Sequence, residues 1–341
     1  MSQQSSTVKA KSAIPTVTII VLNWNGWKNT VECLESISQI NYPLYEVILV
    51  DNGSKDNSVQ QIQTYAAGKL MVKSKFFQYS QINKPLSLIS TTNASPSFGG
   101  EIFLVQNSTN LGFSAGTNIG LNLAQKHKAD YVLLLNNDIV VEKDFLNALV
   151  EQAEKEPQIG IAGPTIYHYD RPDTVDFAGE NLTVWRVKGK EFTVLSKQPR
   201  EVDKIEGSCM LIRRAVLDKI GLLYTKYWAY WEETDLCFRA MKAGFKVVYV
   251  PDSIIWHKVA QSIGGEGNLR REYYLNRNRL LFARRNLNWG DQAKFLLYFF
   301  GFELWLKTAV ELKHHSKQGA FMWLKAAFDG FHMYLDPANA P

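Results

Sequence analysis

Apolar runs of strand length alternate with segments of helical spacing through the first 140 residues of this chain. The runs at 17–22, 46–50, 101–105 and 131–135 hold few polar residues, which predicts strands buried on both faces. Between them, 27–38, 54–66 and 114–126 carry apolar residues at helical spacing, with Ser54 and Ser114 placed as caps. A β-α-β-α series of this kind builds a mostly parallel sheet with covering helices. Residues 67–100, rich in Ser, Asn, Pro and Gly and ending in SPSFGG, interrupt the series and read as a surface insertion too polar for core.

After Asp138 the order changes. A helix at 142–154 is followed by short strand patterns at 159–166, 174–177, 182–187, 192–195 and 202–212, more like an antiparallel extension than further βαβ units. Helical spacing returns at 232–243, a strand at 246–250, and helices from about 268 onward. The organisation predicted is a lead-in at 1–14, an α/β unit at 15–260 and a helical region at 261–341.

Composition narrows the class. With 46% hydrophobic and 21% charged residues the chain is an ordinary globular protein. Cys33, Cys209 and Cys237 are widely spaced and form neither a disulfide framework nor a zinc pattern, which suits a reducing compartment. The polar first 14 residues lack the apolar core of a secretory signal, so a disordered lead-in and a cytoplasmic location are expected. A net charge of +5 is too small to imply nucleic acid, but its distribution is uneven: residues 258–325 hold twelve Lys or Arg against five acids, interleaved with aromatics. The longest apolar run there, FLLYFFGF, falls far short of the roughly 20 residues needed to span a bilayer. Two fates are open for these helices, peripheral contact with an anionic membrane surface or burial in a homodimer interface.

Five segments carry candidate chemistry. The runs ending in LNWNG, VILVDNGS and LLLNND place Asn23, Asn25, Asp51, Asn52, Asn137 and Asp138 at the carboxyl ends of strands, where open α/β sheets bind ligands. Asp51 can accept hydrogen bonds from a ribose or a pyrimidine base, and Asp138 can hold a divalent cation on phosphates. The first strand lacks the G-x-G-x-x-G of a dinucleotide site, which removes the obvious oxidoreductase reading. NLGFSAGTNIG sets Gly112 and Phe113 at a strand-to-helix junction, where glycines allow close backbone approach and leave helix N–H groups for an anion. YWEETD crowds Glu232, Glu233 and Asp235 into one helical turn, a candidate general base behind the aromatic pair Tyr230 and Trp231. His257 is expected in a loop a few residues beyond the 246–250 strand.

Taken in order, TIIVLNWNG, VILVDNGSKDNS, NLGFSAGTNIG, LLLNNDIV, EGSCMLIRR and YWEETDLCFR resemble an inverting family 2 glycosyltransferase of the GT-A fold, in the branch that holds bacterial rhamnosyltransferases. The resemblance covers about residues 16–260. It implies a Rossmann-like nucleotide-binding sheet with a mixed or antiparallel acceptor-side extension. By the same resemblance Asp51 binds the base, with Asn23, Asn25, Asn52, Gly112, Phe113 and Asn137 around the nucleotide sugar. Asp138 and His257 hold Mg²⁺ or Mn²⁺ on the diphosphate, Glu233 is the base, Glu232 and Asp235 orient it and the acceptor, and Tyr230 and Trp231 face the acceptor. The implied donor is a dTDP- or UDP-sugar, rhamnose among the candidates, and the acceptor a hydroxyl of a glycan or lipid-linked glycan. Beyond Lys258 the resemblance is loose, and it is the basic aromatic helices there that suggest an acceptor carried on a lipid at the inner membrane face. Two departures are visible. The family's D-x-D is Asn136-Asn137-Asp138, with one carboxylate, and its usual Glu-Asp pair is Glu232-Glu233. An inactive carbohydrate-binding scaffold would explain the first but has no need for a base. A sugar nucleotidyltransferase would carry an Arg and a Lys in a Gly-rich loop after the first strand, where only Lys28 stands.

Overall fold

The computed structural model describes residues 14–90, 95–258, 268–314 and 316–339. The first half is β1 (Val17–Asn23), α1 (Trp27–Ile37), β2 (Tyr45–Asp51), α2 (Ser58–Ala66), β3 (Leu88–Ile89), β4 (Gly99–Gln106), α3 (Gly112–His127), β5 (Tyr131–Asn136) and β6 (Ile139–Val141). Then follow α4 (Phe145–Lys155), β7 (Ile159–His168), β8 (Val175–Phe177), β9 (Glu180–Thr183), β10 (Lys188–Glu191), β11 (Arg200–Glu201), β12 (Cys209–Arg213), α5 (Arg214–Ile220), α6 (Glu232–Lys242) and β13 (Lys246–His257). The chain closes with α7 (Leu269–Asn286), α8 (Trp289–Tyr298), α9 (Leu304–Lys313) and α10 (Lys317–Leu335).

One sheet in the order β11-β13-β7-β12-β5-β1-β2-β4-β3 runs through the molecule, with β6 added to β13 and β8 to β7; β9 and β10 form a separate hairpin. From β5 to β3 the strands are parallel, and β12 runs antiparallel to both β5 and β7. The buried runs predicted from the sequence are the central strands, and their two faces carry separate cores. Val31, Leu34 and Ile37 of α1, one turn apart, fill one face with Leu146 and Leu149 of α4; Leu121 and Ala124 of α3 and Leu236 of α6 fill the other. Burying each such side chain contributes about 1.5–3 kcal/mol.

Several local expectations are corrected. The strand predicted at 246–250 continues to His257, because a bulge between Val250 and Ile254 absorbs the proline at 251 and pairing with β7 resumes. His257 therefore stands in a strand, paired with Ile139 of β6, and not in a loop. The 202–212 strand is broken by a turn at 206–208, and 192–195 is not a strand: the hairpin pairs 180–183 with 188–191. Ser54 does not cap α2, which begins four residues later, and Ser114 lies inside α3. The 67–90 segment is also less superficial than its composition suggests. Val72 is buried and Phe77, Tyr79 and Leu86 lie against the α1 side of the core. Glu35 anchors it, accepting from Lys84 Nζ, Tyr65 Oη and Ser80 N at 2.8 Å each. Burial opposes that carboxylate, yet these donors hold it below its ordinary value. Residues 1–13 of the predicted lead-in lie outside the described residues.

A third core joins the two predicted units. Leu280, Leu281, Phe282 and Phe295 of the C-terminal helices pack with Val187, Tyr227, Trp231 and Phe238, so the predicted boundary at 260 does not separate independent cores.

Candidate active site

Register brings the polar strand ends level: Asn23 stands opposite Asp51, and Leu22 opposite Asn136. Asn23 Nδ2 donates to Asp51 Oδ2 (2.7 Å), while its Oδ1 accepts from Thr30 Oγ1 (2.8 Å). Asn137 Nδ2 completes the cluster, donating to Thr30 Oγ1 at 2.9 Å and approaching Asn23 Oδ1 at 3.4 Å. Ser54 donates from its hydroxyl to Asp51 Oδ2 (2.6 Å) and from its N–H to Oδ1 (3.0 Å), which is where the expected capping residue is used instead. Asn25, at φ +50°, accepts from Lys55 N at 2.7 Å and so ties the first strand's loop to the DNGSKD turn. Asn23, Asn25, Asp51 and Asn137 are thus brought together. Asn52 turns the other way: Nδ2 donates to Asn110 Oδ1 and the Gly112 carbonyl, and Oδ1 accepts from Asn107 Nδ2. Its side chain secures the 107–112 loop.

Gly112 has φ +81°, and a Cβ there would lie 2.7 Å from the Trp228 indole. The Phe113 and Ser114 N–H groups donate to the Trp228 carbonyl at 2.7 and 3.3 Å. The first N–H groups of α3, expected free for an anion, are instead taken by a neighbouring loop, whose carbonyl satisfies the helix end.

Asp138 and His257 meet beyond β5. His257 Nε2 lies 3.4 Å from Asp138 Oδ1, and its Nδ1 3.9 Å from Glu206 Oε1. Burial opposes protonation of this imidazole, but Asp138, with Glu206 and Asp176 behind, raises it to about 9. Donor atoms of Asp176, Glu206 and His257 lie within 4.8 Å of one another. Asp138 Oδ1 and His257 Nδ1 are buried and make no close hydrogen bond beyond these longer ion-pair contacts, which leaves their lone pairs open to a ligand. Carboxylate oxygens with one imidazole suit Mg²⁺ or Mn²⁺, so the residues fit a divalent ion.

The turn at 206–208 links this cluster to the acidic helix. Ser208 accepts from Asn136 N at 2.8 Å, Glu206 faces His257, and a Cβ on Gly207 would lie 3.2 Å from Glu233 Cβ. Glu233 Oε1 lies 3.4 Å from Lys204 Nζ. Glu232 is buried with Oε2 unpartnered, and burial together with the Glu233 charge raises its carboxyl well above the ordinary value. Asp235 is not brought to this cluster. Wholly buried, it accepts from Arg239 Nε (2.7 Å), Asn286 Nδ2 (2.8 Å), Arg285 Nε and Tyr227 Oη (both 3.2 Å), which makes it the joint between α6 and α7.

Before α6, Trp228, Tyr230 and Trp231 have φ of +66°, +66° and +76°. Left-handed aromatics in succession are strained, and such strain persists only where surroundings over-determine it. Asn278 supplies the restraint, its Nδ2 reaching the carbonyls of Tyr227, Ala229 and Tyr230 at 2.9, 2.8 and 2.8 Å. Arg277 Nη2 adds the Lys226 and Tyr227 carbonyls. Trp231 donates its indole N–H to the Leu275 carbonyl (3.0 Å) and packs on Phe282, so that ring serves the scaffold, while Tyr230 lies beside Arg271. The sequence reading missed Asp176, Lys204, Glu206 and Asn278. Glu206 stood inside the quoted EGSCMLIRR segment, which offered a signal; the other three carry none at sequence level.

Residues 90–274 match the model of glycosyltransferase-like family 2, and residues 18–83 that of glycosyl transferase family 2. The chain belongs to glycosyltransferase family 2 and is a transferase enzyme. N-acetylglucosaminyl-diphospho-decaprenol L-rhamnosyltransferase of Mycobacterium tuberculosis is 23% identical over 291 residues, 80% of this chain and 85% of that protein. The low-salt glycan biosynthesis hexosyltransferase of Haloferax volcanii is 25% identical over 183 residues, 50% of this chain and 58% of that one. Among solved structures, Staphylococcus aureus TarS 1–349 in complex with UDP-GlcNAc superposes with TM-score 0.58 at 15% identity, over 94% of this chain and 81% of that one. The mannosyltransferase of Pyrobaculum calidifontis in complex with GDP-Man and Mn²⁺ gives 0.55 at 14%, over 94% and 88%. These likenesses establish the GT-A fold.

Proposed function

We propose that this enzyme transfers a sugar, with inversion, from a dTDP- or UDP-sugar to a hydroxyl of a lipid-linked glycan during cell-surface polysaccharide synthesis. The observation that carries the reading is the turn at 206–208, where one tripeptide touches the Asn136 strand end, His257 and Glu233. Asn23, Asn25, Asp51 and Asn137 bind the nucleotide at the strand ends, and Asp138 with His257, backed by Glu206 and Asp176, holds Mg²⁺ or Mn²⁺. A bound divalent ion would supply Lewis-acid neutralisation of the departing diphosphate. Glu233 takes the proton of the acceptor hydroxyl as that oxygen attacks the anomeric carbon from the face opposite the leaving group. Burial and the Glu233 charge push the Glu232 carboxyl well above its ordinary value, which favours its neutral form beside the base. Rhamnose as the sugar is supported by the printed activity of the mycobacterial relative.

The acceptor's lipid is supported by the outer face of the C-terminal helices. Leu297, Phe302, Trp305, Phe321 and Phe328 are 56–76% exposed there, with Lys294, Lys307 and Lys325 alongside. Among the described residues no helix is long and apolar enough to cross a membrane, and the contact proposed is peripheral, through these exposed aromatics and lysines on the cytoplasmic face. Flotation with phosphatidylglycerol vesicles, but not phosphatidylcholine vesicles, is expected; a stable dimer that ignores both would assign this face to self-association. The donor site is tested by calorimetric titration of dTDP and UDP with and without Mn²⁺. One nucleotide should bind in a metal-dependent manner, and Asp138→Asn should abolish that dependence. Glu233→Gln should lose transfer while keeping donor binding; full activity in that variant would sink the assignment of the base.

A further inference from the structure

Lys204 is a half-buried cation that the reaction outlined above leaves without a task. Its Nζ lies between two carboxylates, 2.8 Å from Glu180 Oε2 and 3.4 Å from Glu233 Oε1, and its side chain is 16% exposed. Burial works against its charge, but Glu233 and Glu180 together raise it above the ordinary lysine value, so it remains an ammonium. Its place is fixed through the backbone, since Lys204 and Glu180 exchange N–H donors and carbonyl acceptors at 3.0 and 3.2 Å. The Glu180 side chain in turn occupies the space above Gly189 on β10: a Cβ at 189 would fall 1.1 Å from Glu180 Oε1. A line of contacts therefore runs from the β9–β10 hairpin through Glu180 and Lys204 to Glu233. Besides Lys204, the described polar contact that orients Glu233 is the neighbouring Thr234 hydroxyl at 3.2 Å.

We infer that Lys204 is a positioning residue, held by Glu180 over the bare Gly189, which fixes the Glu233 carboxylate where it can take the acceptor proton. The inference rests on Glu233 as the base. A base that swings freely spends little time in line with the acceptor hydroxyl, and misplacement by about 1 Å can cost 10²-fold in rate. The contact with Lys204 leaves the donor pocket untouched, so its loss should fall on turnover and not on donor binding.

The test measures kcat and donor KM with dTDP-rhamnose, or the UDP-hexose that wild type turns over, and an N-acetylglucosaminyl-diphospho-lipid acceptor. Lys204→Met should lower kcat about 10–100-fold with donor KM within about twofold, and Lys204→Arg should recover much of the loss. In the double variant Lys204→Met with Glu233→Gln, the lysine change should cost nothing further, because a positioning residue has no work once its base is gone. Gly189→Ala, which pushes Glu180 aside and leaves Lys204 and Glu233 in the chain, should lower kcat in the same sense. Folded Lys204→Met with kcat within twofold of wild type, beside an inactive Glu233→Gln, overturns the positioning role and leaves the base intact. An active Glu233→Gln overturns the base itself. If Lys204→Met does not fold, unchanged kcat in Gly189→Ala overturns the proposal.

Discussion

Removing the Asn278 amide should disable the enzyme from a distance. Its Nδ2 serves three carbonyls of the 227–230 loop, and Arg277 also reaches that of Tyr227, so Asn278→Ala orphans chiefly those of Ala229 and Tyr230. A buried acceptor left unsatisfied costs about 1–3 kcal/mol, and crediting each with the lower half of that range gives about 2–4 kcal/mol in all. The loop has strain ready to release, since each of three left-handed aromatics stores about 1–3 kcal/mol. At 1.4 kcal/mol per factor of ten, the balance between the set loop and relaxed alternatives shifts by about 30-fold or more. Glu232 and Glu233 begin the helix that follows Trp231, so a relaxed loop misplaces the proposed base. Steady-state assays should show kcat down at least about tenfold with donor KM nearly unchanged, and Asn278→Asp, which keeps the volume but replaces the donor with an acceptor, should do no better. A folded Asn278→Ala with kcat within twofold of wild type would refute the reasoning.

Three further outcomes follow from the geometry. Asp235→Asn breaks buried pairs with Arg239 and Arg285 and should destabilise by about 3–5 kcal/mol in a urea melt, whereas an unchanged midpoint would deny it the joint role. Gly112→Ala forces a side chain into the Trp228 indole at positive φ and should cost about 1–3 kcal/mol while loosening the 228–231 loop; amide exchange there no faster than wild type would contradict this. Glu35 is held below its ordinary value, so its contribution is complete above the unfolded carboxylate range and is lost as pH falls through its folded value. The melting temperature deficit of Lys84→Met should therefore be widest near pH 7 and shrink toward pH 3; an equal deficit at both would exclude this pair as the cause.

What could be read in advance divides along physical lines. The central strands were legible because burial on both faces leaves an uninterrupted apolar run, and Asp51 and Asp138 because a polar residue that ends such a run stands out. His257 was placed in a loop because Pro251 ends a strand pattern, and only pairing with β7 across the bulge carries the strand onward. Helix caps failed where tertiary demand prevailed: Ser54 is drawn to Asp51, and the α3 end is closed by a carbonyl more than a hundred residues away. Asn278 and Lys204 could not be found from sequence, since a single amide or ammonium acts here through which carbonyls and carboxylates the fold sets beside it.

The clamp from α7 also sets a timetable. Everything that contacts the nucleotide in the proposed site, and the Glu233 helix itself, precedes residue 260 in the chain. The residues that hold the loop before that helix and pin Asp235 run from Arg277 to Asn286, and they emerge later from the ribosome. A nascent chain with its sheet already paired would therefore carry a donor pocket without a set base. A chain cut at residue 260 would lose that clamp together with the helical half of the core shared with Tyr227 and Phe238, so it should transfer nothing.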